Sequence, residues 1–338
     1  MKKERDSLLD VLKGVLIYLV VLGHVIQYFG VVQNFFDNTL FKFIYSFHMP
    51  LFAMISGYLL YYSLSHHSYK SVLFSRVKTL CIPIIVWGTI INIYGMILCT
   101  WFDIGRYTDI WFLWTILFAT IFVVIYSKMP KFRFGLLILG FLIVNFLPNG
   151  KMNLFLYPYF VLGYLYNENK TKINTSLVDI VKKISLVGYP LLMLLFNKQA
   201  YIYVSGTVFN AKERFLEHLL IDVYRFLVGF LGSVFIIVIA KAILKTFSKF
   251  KGFENAEKCI ANVGKLSLQI YVLQIVVVER FIPDFLNFFD LDLGKIFNEF
   301  VFTYLIGPII SLVIVFCICI GVKFISRFKK ISFVLFGR

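Results

Sequence analysis

Residues 8–30 read LLDVLKGVLIYLVVLGHVIQYFG, and this stretch decides the class of the protein. A helix needs about 20 mostly apolar residues to cross the hydrocarbon core of a bilayer, and this run has that length. It is too long for the apolar part of a signal peptide and lacks a small-residue cleavage site. We therefore expect it to be retained as a membrane-spanning helix.

Apolar runs of this kind recur along all 338 residues. Hydrophobic residues make up 60% of the chain and charged residues only 15%, whereas soluble domains carry about a quarter charged residues. This composition excludes an ordinary soluble domain, a disordered chain and a small disulfide scaffold. Helices are expected, because backbone exposed to lipid must satisfy its own hydrogen bonds. We predict an all-α polytopic membrane protein with about ten spans, at residues 8–30, 40–62, 79–100, 109–127, 134–148, 152–167, 184–196, 219–240, 260–279 and 299–322.

The net charge of +16 is distributed unevenly between the connections. The two ends of the chain and alternate connections carry roughly three times as many Lys and Arg residues as the opposite set, so by the positive-inside rule both termini are predicted to be cytoplasmic. The basic residues form short clusters and no continuous face, which argues against a nucleic-acid partner. We expect residues 1–338 to form a single membrane domain without a fused soluble domain.

Three ionisable residues lie inside the first predicted span: Asp10, Lys13 and His24. Charged groups are costly at bilayer depth, so each one is a functional candidate. Helical periodicity puts Lys13 and His24 about 20° apart around the axis and roughly 16 Å apart along it, with Asp10 about 40° from His24. This stripe favours a polar passage. A simple ion pair between Asp10 and Lys13 is the alternative.

The second predicted span carries His48 in FHMPLFAMISGYL (residues 47–59). His24 and His48 should lie at similar depth, because each is six to eight residues from the outer end of its segment. Pro50 removes a helical hydrogen bond just after His48, and Ser56 offers a hydroxyl further along. His48 is a candidate catalytic residue, and a hydrogen bond to a neighbouring carbonyl is the alternative.

Two further groups of charged residues belong to later spans. Arg76 and Lys78 begin the predicted third span, where they can bind anionic phosphates or simply reach towards the interface. Arg225 lies several residues inside the predicted eighth span, three residues after Asp222. Pairing with Asp222 and lining a polar cavity are the two interpretations of Arg225.

Several motifs together resemble the membrane acyltransferase family 3. RDSLLDVLKGVLIYLVVLGH (residues 5–24) is similar to its first-helix signature, a basic residue and a histidine separated by ten positions, here Lys13 and His24. FHMPLFAMISGYL and SRVKTLCIP (residues 75–83) resemble its next two motifs. Later landmarks are DIWFLWTILF, YPYFVLGYLY and VGKLSLQIYVLQ. Two positions depart from the family pattern: Thr79 stands where a second arginine is usual, and Gln274 where a histidine is frequent.

The resemblance implies transfer of an acyl group, acetyl by default, from cytoplasmic acetyl-CoA or another acyl-CoA to a hydroxyl of a cell-surface polysaccharide or lipid-linked sugar. It implies a location in the bacterial inner membrane, partners in polysaccharide biosynthesis, and no metal. His24 would act as general base or transient acyl carrier. By residue, the expectations are Asp10, Lys13, His24 and His48 for catalysis, Arg76, Lys78 and Lys13 for the acyl-CoA, and Ser56, Arg225 and Trp111 for the acceptor and other roles.

The main alternative is a multi-span transporter or flippase of a glycan or small anionic metabolite. Such a protein typically shows duplicated halves or matching broken helices, and neither is visible in the sequence. A membrane polysaccharide polymerase is a second alternative, but it would carry a large outer loop rich in arginine. The longest predicted outer loop here, residues 197–218, contains a single arginine, Arg214.

Overall fold

A computed structural model describes residues 7–98, 101–210 and 213–338, and every regular element in these ranges is helical. Arg5 and Asp6 of the first motif, and the basic residues Lys2, Lys3 and Lys212 that entered the charge count, lie outside the described residues. The first eight α-helices are α1 Ser7–Tyr28, α2 Thr39–His66, α3 Tyr69–Ile97, α4 Trp111–Lys128, α5 Arg133–Ile143, α6 Gly150–Glu168, α7 Thr175–Leu194 and α8 Ile202–Ser205.

The second half of the chain contains one long helix, Phe215–Phe247, and several shorter helices with local irregularities. Its α-helices are α9 Phe215–Phe247, α10 Phe253–Lys265, α11 Ser267–Val276, α12 Ile282–Phe288, α13 Leu293–Ile296, α14 Glu299–Val301, α15 Gly307–Ile325 and α16 Lys329–Phe336. A π-helical segment, Val277–Phe281, joins α11 to α12. A second π-helical segment, Phe302–Ile306, joins α14 to α15.

Each of the ten predicted segments overlaps a helix, although residues 99 and 100 of the third lie outside the described residues, and not all of these helices have the composition of a span. Among the described residues, six helices are long and apolar enough to cross a membrane, and α10 with α11–α12 makes a seventh if that bent pair is one span. α5 is short, and α7 carries Asp179, Lys182 and Lys183. The all-α membrane class is therefore confirmed, whereas the count of ten and the cytoplasmic termini stay predictions.

The structure differs from the predicted segments in two places, at the start of the third and inside the ninth. α3 begins at Tyr69 and not at residue 79, because Ser68 caps it by accepting a hydrogen bond from the Ser71 amide. The predicted span 260–279 is broken: Leu266 leaves helical geometry, and the helices on its two sides are inclined by 65°. Broken helices of this kind occur inside membranes where backbone lines a protected cavity.

The contacts within the chain divide it into two compact units. Unit 1 comprises residues 1–48, 180–198 and 231–327, and in it α1 packs against α10, α11 and α15. Unit 2 comprises residues 49–179, 199–230 and 328–338, and in it α4 packs against α3, α5 and α6 while α16 packs on α3. Large apolar side chains remain exposed on the outer helices, as in Leu312, Phe316 and Ile320 of α15, which suits contact with lipid.

Candidate active site

The charged stripe of α1 begins with an ion pair. Lys13 Nζ lies 2.8 Å from Asp10 Oδ1, and Asp10 is only 3% exposed. The backbones of α1 and α10 approach closely here, because a Cβ atom at Gly264 would overlap the Asp10 carbonyl and one at Gly14 would overlap the Ile260 carbonyl. Asp10 and Lys13 therefore form the local i,i+3 pair, held at a tight helix crossing.

His24 contacts a carboxylate from a distant part of the chain. Its Nδ1 lies 2.9 Å from Glu279 Oε1, and the two side chains are 20% and 15% exposed. The approach lacks the alignment of a hydrogen bond, so it is an ion-pair contact when the imidazole is protonated. A partly buried imidazole next to a carboxylate is the arrangement that proton-transfer sites use, because the carboxylate stabilises the imidazolium.

Gln274 completes this cluster, which we call the His24 cluster: His24, Gln274 and Glu279. Gln274 Nε2 donates a hydrogen bond of 3.2 Å to the same Oε1 atom that faces His24. Gln274 is fully buried, and its Oε1 has no hydrogen-bond partner among the described residues. A buried polar atom without a partner is unusual and marks a place where a further group can bind.

The π-helical segment Val277–Phe281 carries Glu279. A π-turn inserts an extra residue into the helix and rotates the side chains that follow, and such turns are frequent at functional sites. Here it lets Glu279 reach His24 while Val278 stays fully buried. The sequence analysis missed Glu279. The available signal was an acidic residue at the last position of a predicted span.

His48 lies in the same unit as His24 and is 3% exposed. Its Nδ1 is 2.8 Å from the Ile44 carbonyl, one turn earlier on α2. The Tyr45 ring lies 4.8 Å from the imidazole. His48 is also within electrostatic range of His24. The carbonyl contact fixes the ring orientation and leaves Nε2 as the polar atom that can face a ligand.

Arg225 is at the centre of a clamp in unit 2. Its Nε donates to the Ala200 carbonyl over 2.9 Å, and its Nη1 donates to the Gly206 carbonyl over 3.0 Å and to Asp222 Oδ1 over 2.7 Å. Its Nη2 also donates to Ser205 Oγ. Arg225 is 5% exposed, and it connects residues 200–206 to α9. Arg225 therefore pairs with Asp222 and also has several other polar partners.

Arg76 and Lys78 lie in the first turns of α3, beside the C-terminal helix α16. Lys78 Nζ is 5.3 Å from the centre of the Phe333 ring. Trp87 Nε1, further along α3, donates to the Leu335 carbonyl over 2.8 Å. Arg338 lies within electrostatic range of Arg76. The positive charges of α3 and the chain that follows α16 therefore lie together.

The remaining predicted residues, Ser56 and Trp111, belong to unit 2. Ser56 Oγ donates to the Phe52 carbonyl within α2 over 2.9 Å. Trp111 is the first residue of α4, and its ring meets Phe112 edge-on at 6.1 Å. Neither residue belongs to the His24 cluster. In the described part of the chain, no group of three or more His, Cys, Asp or Glu side chains is arranged to hold a metal.

Fold and site together define an all-helical membrane protein with a histidine–carboxylate pair between its helices. The chain belongs to the acyltransferase domain family, whose model matches residues 6–326. This match confirms the resemblance that the motifs indicated.

Two relatives share part of the chain. The nodulation protein NolL of Sinorhizobium fredii (strain NBRC 101917 / NGR234) is 30% identical over 193 residues, covering 51% of this chain and 52% of that protein. The nodulation protein NolL of Mesorhizobium japonicum (strain LMG 29417 / CECT 9101 / MAFF 303099) is 29% identical over 180 residues, which is 48% of each. The chain spans about half the length of the curated relatives it matches. No solved structure matches the chain.

Proposed function

We propose that this protein is a membrane O-acyltransferase. It moves an acyl group, acetyl in the first instance, from cytoplasmic acyl-CoA to a hydroxyl of a cell-surface polysaccharide or lipid-linked sugar. The observation that carries this proposal is the 2.9 Å contact between His24 and Glu279 inside a chain of the acyltransferase family. An imidazole paired with a carboxylate can remove the proton of a hydroxyl near neutral pH.

In this mechanism His24 is the general base. Nδ1 faces Glu279, so Nε2 accepts the proton of the acceptor hydroxyl. The hydroxyl oxygen attacks the thioester carbonyl carbon, the C–S bond breaks, and the departing sulfur takes the proton from the imidazolium. The products are the O-acyl ester and free CoA. Glu279 stabilises the imidazolium while it exists, and Gln274 holds the carboxylate in place. A transient acyl-imidazole on His24 is the alternative role.

The donor side is assigned to the basic residues near the predicted cytoplasmic surface. Arg76 and Lys78 bind phosphate oxygens of CoA, because charge-assisted hydrogen bonds to phosphate are strong and directional. Lys13 of unit 1 is a separate candidate for binding the acyl-CoA, and its ion pair with Asp10 sets its position. The lysine at position 78 replaces a guanidinium fork only in part, since an ammonium offers no bidentate geometry.

The acceptor side is assigned to the outer ends of the helices. His48 of unit 1 orients the acceptor through Nε2, and Ser56 of unit 2 is a separate polar candidate. Arg225 and Asp222 keep the segment 200–206 in place, and Trp111 offers an aromatic surface. We place the protein in the bacterial inner membrane with both termini in the cytoplasm, where it works beside polysaccharide-biosynthesis proteins.

A transporter is the less favoured alternative. The break at Leu266 is a feature that transporters also use, but only one bent helix pair occurs among the described residues, without a counterpart in the other half. The family match and the histidine–carboxylate pair favour chemistry on a thioester over transport.

The test is release of free CoA thiol from acetyl-CoA by the protein purified in nanodiscs, for the wild type and for His24→Ala. We expect release that depends on His24 and rises when a glycan acceptor is added. A stoichiometric burst without acceptor would identify the acyl-carrier role instead. Equal release by both proteins, or no saturable CoA binding by the wild type, would reject the acyltransferase proposal.

A further inference from the structure

A cavity lies in unit 1 at the end of α1, close to the His24 cluster. Its volume is about 310 Å³, at the lower end of the roughly 300–1,000 Å³ typical of small-molecule sites. That is room for a single sugar unit. One side of the cavity is the end of α1, and the other is α12 with the loop that follows. Its main lining residues are Tyr28, Pro283, Leu286, Asn287, Asp290 and Asp292.

Tyr28 connects this cavity to the candidate active site. Its ring stacks on His24 with 5.8 Å between ring centres and 24° between ring planes. Tyr28 follows His24 by a single helical turn, which is about 6 Å along the axis. On the opposite side, α12 continues directly from the π-helical segment that carries Glu279. Both walls of the cavity therefore lead to the His24–Glu279 pair.

The lining combines two kinds of surface. Tyr28, Pro283 and Leu286 supply apolar surface of the sort on which the C–H face of a sugar ring rests. Asn287 supplies an amide, which can donate to and accept from hydroxyl groups, and Asp290 supplies a carboxylate, which accepts from them. No ion pair to Asp290 occurs in the described ranges, whereas Asp292 lies 3.6 Å from Lys295.

The charge of the lining defines which sugars fit. Asp290 and Asp292 both line the cavity and none of the lining residues is basic; because Lys295 offsets the charge of Asp292, the negative charge comes mainly from Asp290. A uronic acid or a sialic acid would place a carboxylate against these groups, and such like-charge contacts are an effective way to reject a ligand. A neutral polyhydroxylated sugar forms hydrogen bonds with the same groups without that cost.

We propose that this cavity binds the acceptor, as a neutral sugar unit whose free hydroxyl points past Tyr28 to His24. This inference rests on the proposed function and adds to it the place and the chemical class of the acceptor. Tyr28 contacts both the sugar and the imidazole, so it sets the position of the hydroxyl relative to the general base. Asp290 selects against acidic sugars.

The test measures sugar binding directly, by saturation-transfer NMR on the purified protein. The probes are methyl glucoside, methyl galactoside and methyl glucuronide. The variants are Asp290→Asn, which removes the charge and keeps the shape, and Leu286→Trp, which fills the cavity. Asp284→Asn is the matched control, because Asp284 lies on α12 but is not a lining residue. Gel filtration and thermal melting show that each variant is folded.

We expect the wild type and Asp284→Asn to bind the neutral glycosides and to exclude the glucuronide. Asp290→Asn should bind the neutral glycosides about tenfold more weakly, because a hydrogen bond to a carboxylate is replaced by a weaker one to a neutral amide oxygen, and it should admit the glucuronide. Leu286→Trp should bind none of the three. The inference is overturned if the wild type binds no glycoside, if it binds the glucuronide equally well, or if both cavity variants behave like the wild type. His24-dependent CoA release, measured separately on the wild type, decides whether the proposed function fails with it.

Discussion

His24 Nδ1 and Glu279 Oε1 lie 2.9 Å apart, although the two residues are 255 positions apart in the sequence. If Glu279 stabilises the imidazolium, Glu279→Gln should lower the rate of acyl transfer by about 10²- to 10⁴-fold, the range that a general acid–base group contributes. The measurement is the steady-state release of CoA thiol with acceptor present. Expression and melting temperature should stay close to wild type, because the glutamine has nearly the same shape.

The control for Glu279→Gln is Glu254→Gln. Glu254 is exposed and pairs only with Lys258 one turn along α10, so its removal should leave the rate unchanged. A Glu279→Gln enzyme as active as the wild type would remove Glu279 from the mechanism and leave His24 to act alone.

Gln274 donates to the carboxylate that contacts His24, and we expect it to be a positioning residue. Gln274→Ala should lower kcat more than it raises KM. The substitution removes a hydrogen bond to Glu279 and no contact with the substrate. Gln274→His restores the residue that the family frequently has at this position. Its pH–rate profile should differ from that of the wild type, because an imidazole can gain and lose a proton where the amide cannot.

The pH–rate profiles of the two Gln274 variants decide between positioning and simple packing. A packing role predicts that Gln274→His and Gln274→Ala lose stability and activity in parallel, with wild-type pH dependence. That result would contradict the positioning role.

The local parts of the site could be predicted from the sequence. Asp10 with Lys13 and Asp222 with Arg225 are three residues apart, so helical periodicity alone places each pair on one face. The carbonyl contact of His48 is also local, and it was the stated alternative. The helical class followed equally directly, because apolar runs of that length admit no other structure in lipid.

The long-range parts could not be predicted. Contact between Glu279 and His24 depends on how α1 packs beside α11, and it also needs a π-helical turn that no residue pattern announces. The break at Leu266 lies inside the predicted span 260–279, which contains no proline, and we therefore expected one continuous helix there. Both features arise from tertiary packing, which overrides local preference.

Substitutions of Arg225 can distinguish a role in protein stability from a role in acyl transfer. Its guanidinium is buried and donates to carbonyls of residues 200 and 206 and to Asp222. Arg225→Ala should therefore destabilise the protein by about 3 kcal/mol, since it leaves buried polar groups without a partner. Arg225→Lys should recover little of this, because an ammonium cannot reproduce the fork.

Thermal melting in detergent measures the effect, with His24→Ala as the control that loses activity but keeps its melting temperature. An Arg225→Ala protein with normal stability but without acyl transfer would contradict a purely structural role. It would assign Arg225 to the acceptor or to the developing oxyanion.

The donor assignment predicts how KM for acetyl-CoA responds to the charges of α3. Arg76→Ala should raise this KM by about tenfold or more, because a charge-assisted hydrogen bond is lost. Lys78→Met keeps an apolar side chain at this position and removes the charge together with its contact to the Phe333 ring, so its smaller effect measures the electrostatic part. Thr79→Arg should lower KM, since it restores the second arginine that the family pattern has.

A substrate that tests phosphate binding directly is acetyl-3′-dephospho-CoA, the thioester that lacks the 3′-phosphate. If Arg76 and Lys78 bind phosphates, the variants should discriminate less between this ester and acetyl-CoA than the wild type does. Unchanged KM values in all three variants would place the donor elsewhere.

The crossing of α1 and α10 predicts a strong contrast between two glycines. A Cβ at Gly264 would overlap the Asp10 carbonyl, whereas a Cβ at Gly321 of α15 would meet no atom within 4 Å. Gly264→Ala should cost about 1–3 kcal/mol, as over-packing does in a tight interior. Gly321→Ala should be neutral or stabilising by up to about 1 kcal/mol, the difference in helix propensity. Because Asp10 also pairs with Lys13, Gly264→Ala should raise KM for acetyl-CoA as well. A stable Gly264→Ala protein with normal KM would show that the close crossing contributes neither to stability nor to acetyl-CoA binding.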